Sequence, residues 1–189
     1  MTVAGLLLAA GAGRRFGMPK ALVRHQGRLF VEHAADVLHD AGCAPVVVVL
    51  GALAEDVRST AALSGSSLVD NPDWETGMGS SLRVGLAALA SSDAAAVVVL
   101  PVDTPGVTAA AVARFVGMAA PDALARATYD GAPGHPVLIG RNRWADVAAM
   151  ADGDAGARPY LARHPVTLVA CEDVAGGADV DRPEDLPEQ

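Results

Sequence analysis

The residues best placed to do chemistry run from Leu8 to Lys20, reading Leu-Ala-Ala-Gly-Ala-Gly-Arg-Arg-Phe-Gly-Met-Pro-Lys directly after an apolar run. Gly11, Gly13 and Gly17 carry no Cβ, so backbone N–H groups there can close on an anion. Arg15 and Lys20 add full positive charge. Arg14, Arg15, Lys20 and Arg24 put 4 of the 14 basic groups within residues 14–24, although the chain's net charge is −8. That local excess in an acidic chain implies an anionic ligand, and a phosphate chain fits it. Two familiar phosphate loops do not match. The dinucleotide pattern G-x-G-x-x-G would need glycine at Phe16, and a Walker A loop needs Gly-Lys-Ser/Thr.

Five further segments carry candidate groups. In Asp70-Asn71-Pro72 and Glu75-Thr76-Gly77-Met78-Gly79-Ser80-Ser81, the glycines free the backbone and either serine can cap the helix it precedes. A helix start of that kind takes an anion or polar ligand, or is an ordinary capped turn. Leu100-Pro101-Val102-Asp103-Thr104-Pro105 puts a carboxylate just past an apolar strand, where it suits a hard cation such as Mg²⁺ or caps a turn. His135, in Gly-His-Pro-Val, has no second histidine at metal-ligand spacing. Asp154 and Arg158 flank a small-residue loop, and Asp179 and Asp181 open an acidic tail of the kind that is usually solvated.

Alternating elements must position these groups. Apolar runs at 3–8, 45–50, 66–69, 96–100, 123–128, 136–139 and 166–171 read as strands. Helical periodicity covers 30–41, 53–63, 80–90, 108–119 and 157–163. Strands alternating with helices predict βαβ units and a mostly parallel sheet between helical layers. Ligands then sit beyond the carboxyl ends of the strands, after Leu8, Leu50, Val69, Leu100 and Ile139. Trp74 and Trp144 read as packing residues, and Cys43 and Cys171 as buried thiols.

At 189 residues the chain suits one domain, 1–189, and 51% hydrophobic residues exclude wholesale disorder. The negative charge argues against a nucleic-acid partner. The apolar start lacks a preceding basic stretch and no later run reaches the ~20 residues of a membrane span, so no membrane partner is expected. Two cysteines without a CxxC predict neither a disulfide framework nor a zinc site, and point to a reducing cytoplasm.

Taken in chain order, these segments resemble the MobA-like nucleotidyltransferases. Leu8 to Gly11, Arg15, Gly17, Pro19 and Lys20 match the family's LAAGxSxRMGxPK signature, with Gly13 for the usual serine and Phe16 for methionine. The serine's absence weakens one phosphate contact but leaves the amide. The segments NPxWxxGMGSSLxxGL, GHPV and GDxGAR resemble the molybdenum cofactor cytidylyltransferase branch, and the ending resembles D-x-D-x-P-E-D-L.

The resemblance implies a three-layer Rossmann-like nucleotidyltransferase fold and an enzyme that uses Mg²⁺. CMP would pass from CTP to the terminal phosphate of molybdenum-molybdopterin, expelling pyrophosphate, and the product would go to a molybdenum hydroxylase. Arg15, Lys20 and Asp103 are implied as catalytic, with Asp103 and Asp181 holding the metal. Leu8, Ala9, Ala10, Gly11, Ala12, Gly13, Asp70, Gly77, Met78, Gly79 and Ser80 are implied to bind the nucleotide, and His135, Asp154 and Arg158 the acceptor. Ala10, where GTP users show a second glycine, favours CTP. The rivals are GTP as donor, a sugar phosphate or methylerythritol phosphate as acceptor, and a non-catalytic carrier of the finished cofactor. An NAD-dependent oxidoreductase is disfavoured by the failed dinucleotide pattern.

Overall fold

A computed structural model describes residues 1–186. Three runs of Val, Leu and Ala form the middle of the sheet: β1 (Val3–Ala9), β4 (Val46–Leu50) and β6 (Ala96–Pro101), each buried at every position. Such unbroken apolar runs suit strands covered on both faces. The remaining strands are β2 (Arg24–His25), β3 (Arg28–Leu29), β5 (Ser66–Asp70), β7 (Leu124–Tyr129), β8 (Ala132–Gly140) and β9 (Thr167–Ala170). β2 and β3 form a small hairpin, and the other seven make one sheet in the order β5-β4-β1-β6-β8-β7-β9.

Side chains alternate across that sheet because strand periodicity is two. Leu7, Val48, Val98 and Leu100 point to one face, where helices α1 (Phe30–Asp40), α2 (Ala54–Thr60) and α4 (Ala109–Val116) cover them. Leu6, Leu8, Val47, Val49, Val97 and Val99 point to the other. They meet α3 (Met78–Ala88), α5 (Trp144–Met150) and α6 (Arg158–Leu161). The three layers are the Rossmann-like architecture that the resemblance implies. Each buried Val or Leu contributes about 1.5–3 kcal/mol, so a core this poor in aromatics is sufficient when so many positions are filled.

The strand order locates the ligand crevice. The chain runs outward from β1 through β4 to β5, then crosses to β6 on the other side of β1. The reversal falls between β1 and β6, and in such sheets the crevice opens at that point. The glycine-rich loop after β1 and Asp103 after β6 therefore meet by topology alone.

β8 corrects one expectation. It runs antiparallel to β6, pairing Val99 with Val137 and Ala96 with Gly140. The end after Ile139 thus lies at the edge remote from the crevice, and the strand's beginning, at Gly134 and His135, faces it. The cause is a tight hairpin after β7, with Asp130 at φ 49° and Gly131 at φ 80°, the paired left-handed geometry that Asp-Gly favours. Helix α5 is a further addition; its Trp144 is buried and Nε1 donates to the Ile139 carbonyl at 3.0 Å.

Candidate active site

A cleft of about 760 Å³ opens at the reversal point. One wall is the loop after β1, whose Gly11, Ala12 and Gly13 amides meet no protein acceptor among the described residues. Gly13 takes φ +60°, and a Cβ there would lie 1.8 Å from the Met18 carbonyl oxygen. The departure from the family's serine is therefore required by this loop's path, which Gly17 N closes by donating to the Gly13 carbonyl at 2.8 Å. Replacing Gly13 with alanine is expected to force the loop open and weaken nucleotide affinity by about tenfold or more, since left-handed geometry and a backbone clash are imposed together. Titration calorimetry with a nucleoside triphosphate reads this, with thermal unfolding as control.

The opposite wall brings together residues distant in sequence. Val180 N donates to the Asp103 carbonyl (2.8 Å) and Gly176 N to the Gly106 carbonyl (2.9 Å), lacing the tail onto the end of β6. That stitching sets Asp181 beside Asp103. Lys20 Nζ lies between them, 2.9 Å from Asp103 Oδ2 and 2.7 Å from Asp181 Oδ1, and Arg15 Nη1 lies 3.1 Å from Asp181 Oδ2. Burial works to lower the Lys20 pKa, but the hydrogen bonds its ammonium donates to Asp181 and Asp103, with the charges of those carboxylates, outweigh it and raise it. The Lys20 hydrogen bond in turn lowers Asp181. Burial and then the charges of Asp103 and Asp181 raise neighbouring Asp179.

Two carboxylates converging on one cation are a donor set that Mg²⁺ or Mn²⁺ accepts, with phosphate oxygens and water completing the shell. Among the described residues no three metal-ligating side chains gather at one point. Asp103 and Asp181 are thus the pair of carboxylates that could ligate such a cation, and the ammonium of Lys20 lies between them.

His135 faces the cleft from the start of β8. Burial, followed by the positive charge of Arg126, pushes its pKa down to about 4. At physiological pH the imidazole is then neutral, a polar group and not a charge. In acid, the unfolded chain takes up this proton near the ordinary 6.5 while the folded chain refuses it until about 4. Stability should then decline as pH falls from 6.5 to 4, and His135→Phe should flatten that part of the thermal-unfolding profile.

Leu8, Ala10, Gly11, Ala12, Gly13, Arg15, Lys20, Gly77, Met78, Asp103, His135, Asp154, Arg158 and Asp181 all line the cleft. Ala9, Asp70, Gly79 and Ser80 do not. Ala9 points into the core on the other face of the sheet. Asp70 is exposed and pairs with Arg58 at 2.6 Å. Helix α3 begins at Met78, so Ser80 and Ser81 lie within its first turn and do not cap it. Ser80 is buried, its hydroxyl donating to the Gly77 and Asp73 carbonyls and accepting from Asn71 Nδ2. A Cβ on Gly79 would meet Asp152 N at 2.7 Å, and one on Gly77 the Gly153 carbonyl carbon at 2.4 Å. Those glycines let α3 approach the 152–154 loop. Ser81 and Arg126 line the cleft without having been expected to. A charged residue interrupting the apolar run of β7 was the available signal for Arg126.

The MobA-like NTP transferase domain matches residues 5–168. The chain belongs to this family. Among relatives of this MobA-like protein is one named nicotine blue oxidoreductase from Paenarthrobacter nicotinovorans, 40% identical over 97% of the chain and 94% of its own length. A probable molybdenum cofactor guanylyltransferase from Opitutus terrae is 33% identical over 57% of the chain and 51% of its own. Among solved structures, Rv0371c from Mycobacterium tuberculosis H37Rv has a TM-score of 0.84 at 29% identity, covering 98% of this chain and 95% of that one. The same protein has also been solved in complex with manganese, with a TM-score of 0.77 at 29% identity and coverage of 90% and 88%. The MobA-like chain is thus a nucleotidyltransferase by family, related to molybdenum cofactor guanylyltransferases. Among the described residues no helix is long and apolar enough to cross a membrane.

Proposed function

We propose that the chain transfers CMP from CTP to the terminal phosphate of molybdenum-molybdopterin, in the cytoplasm, with release of pyrophosphate. The observation that carries this reading is the meeting of Lys20, Asp103 and Asp181 at the mouth of a loop with free amides. Those amides with Arg15 and Lys20 suit the β- and γ-phosphates, where charge builds as pyrophosphate leaves. Asp103 and Asp181 would hold Mg²⁺, which supplies charge neutralisation at the α-phosphate. When the triphosphate enters, Lys20 exchanges its carboxylates for phosphate oxygens. The attacking phosphate is already an anion at neutral pH, so alignment matters more than a general base. Neutral His135 and exposed Arg158 orient the acceptor. Ala10 at the second position of the loop's first turn favours cytosine over guanine, and a molybdenum hydroxylase would take the product.

Pyrophosphate release measured with each of four nucleoside triphosphates, with and without molybdopterin, tests the reading. Release should be fastest with CTP and should need both molybdopterin and a divalent cation. Release with GTP instead would move the chain to the guanylyl reaction, and release with a sugar phosphate would change the acceptor.

A second reading rests on the 40% identity to the oxidoreductase. Cys43 and Cys171 are buried and unpaired, so they offer no accessible dithiol. A reduction here would need a reductant bound in the same cleft. Loss of NADH absorbance with nicotine blue and no pyrophosphate release with any nucleotide would select this alternative.

A further inference from the structure

Arg126 belongs to none of the motifs and has no role in the phosphate loop. It stands on β7 between buried Ala125 and Ala127, and its Nε donates to the Gly134 carbonyl at 3.1 Å. Arg158, at the start of α6, donates from Nε to the Ala155 carbonyl (3.2 Å) and from Nη2 to the Asp154 carbonyl (2.9 Å). Both guanidiniums are thus anchored on carbonyl oxygens, and among the described residues neither pairs with a carboxylate. Both line the same cleft, and burial and then the charge of Arg158 hold the Arg126 guanidinium below its ordinary pKa. Two fixed, unneutralised cations side by side in a net-acidic chain cost stability unless an anion joins them.

Both residues also line a second cleft of about 320 Å³, continuous with the first, whose remaining walls are apolar: Pro133, Leu161, Ala162, Val166 and Leu168. Leu168 is 63% exposed on β9. The arginine pair therefore stands at the boundary between a polar cleft and an apolar one. A ligand that satisfies both has an anionic head joined to an apolar body.

We infer that Arg126 and Arg158 form a clamp for a phosphomonoester head, with the apolar cleft between α6 and β9 taking the body attached to it. This deepens the nucleotidyltransferase reading, on which it rests for naming that head as the attacking phosphate, and it makes Arg126 a specificity-determining residue. Paired guanidiniums suit a phosphate because each offers two parallel N–H donors. The wall at Leu168 favours phosphates that carry an apolar body, because only they remove its exposed apolar surface from water.

Phenyl phosphate and inorganic phosphate serve as probes, titrated calorimetrically into the full chain with its loop filled by a non-hydrolysable CTP analogue and Mg²⁺. Phenyl phosphate should bind about tenfold tighter than inorganic phosphate, and the analogue should not displace it. Arg126→Leu should weaken phenyl phosphate by about tenfold or more while leaving affinity for the CTP analogue within about twofold. Arg126→Lys should restore part of the loss, and Leu168→Asp should remove the preference for the phenyl compound. Arg158→Ala, on the exposed rim, gives a second variant should Arg126→Leu fail to fold. Unchanged phenyl phosphate binding in both arginine variants, or its displacement by the CTP analogue, overturns the inference. Absence of pyrophosphate release with any nucleotide, alongside intact arginine-dependent phenyl phosphate binding, would instead remove the nucleotidyl reading and leave the clamp standing.

Discussion

Replacing Asp103 with asparagine is expected to lower turnover by about a hundred- to a thousandfold, the range seen when a preorganised charge at a transferring group is removed. Asparagine keeps the size and the carbonyl oxygen, and Asp103 is only partly buried, so the fold should survive. What disappears, on the proposed reading, is one of the two carboxylates that would hold the cation. The donor set offers no third carboxylate or histidine at that point among the described residues, and Asp181 alone should hold the cation poorly. Nucleotide affinity without divalent cation should change little, because the loop amides and Arg15 are untouched. Single-turnover pyrophosphate release separates the two effects. Turnover within about threefold of the parent would mean that Asp103 does not serve the reacting phosphate.

Lys20→Met is expected to split metal binding from catalysis. In the free protein the ammonium is held by Asp103 and Asp181 and competes with any divalent cation for them. Methionine, of similar length, removes that competitor and leaves two carboxylates facing each other. Like charges that close repel, so the variant should be less stable at neutral pH and should regain stability on adding Mn²⁺. Mn²⁺ affinity in the absence of nucleotide should rise by about tenfold, while turnover falls by about a hundredfold because charge on the departing pyrophosphate is no longer met. Electron paramagnetic titration of free Mn²⁺ and pyrophosphate release give the two numbers. The pH behaviour has a definite sign. The raised Lys20 pKa makes its stabilisation complete below the ordinary 10.5 and lost as pH rises through the folded value. The lowered Asp181 pKa makes its share present above the ordinary 3.8 and lost as pH falls through the folded value. In the methionine variant the alkaline loss belonging to Lys20 should vanish.

The parts of the fold legible in the sequence were those decided locally. The Val-rich runs of β1, β4 and β6 and the glycine-rich turn between residues 8 and 20 announce themselves because burial on both faces and close backbone approach each restrict residue type. Helix α4 was expected over 108–119 and spans Ala109–Val116, with Thr108 Oγ1 accepting from Ala111 N at 3.2 Å as a cap. What the sequence hid was decided by partners far away in the chain. Lys20 meets carboxylates 83 and 161 positions distant; the family resemblance grouped these residues, but no local pattern marks their direct contact. Ser80 looked like a ligand-facing cap, yet the helix starts two residues earlier and its hydroxyl turns inward to Asn71, which is only 2% exposed. The direction of β8 turned on two residues, Asp130 and Gly131. Their hairpin geometry reverses the chain and carries His135 to the cleft in place of Ile139.

On the proposed reading, the loop after β1 holds a triphosphate whose divalent cation rests on Asp103 and Asp181. A crystal structure with a non-hydrolysable CTP analogue and Mn²⁺ tests it most directly, because manganese can be located by anomalous scattering. An anomalous peak is expected between those two carboxylates, with phosphates along Gly11 to Arg15 and Lys20 Nζ drawn off the carboxylates onto a phosphate oxygen. A nucleotide bound elsewhere, with Lys20 still bridging Asp103 and Asp181, would contradict it.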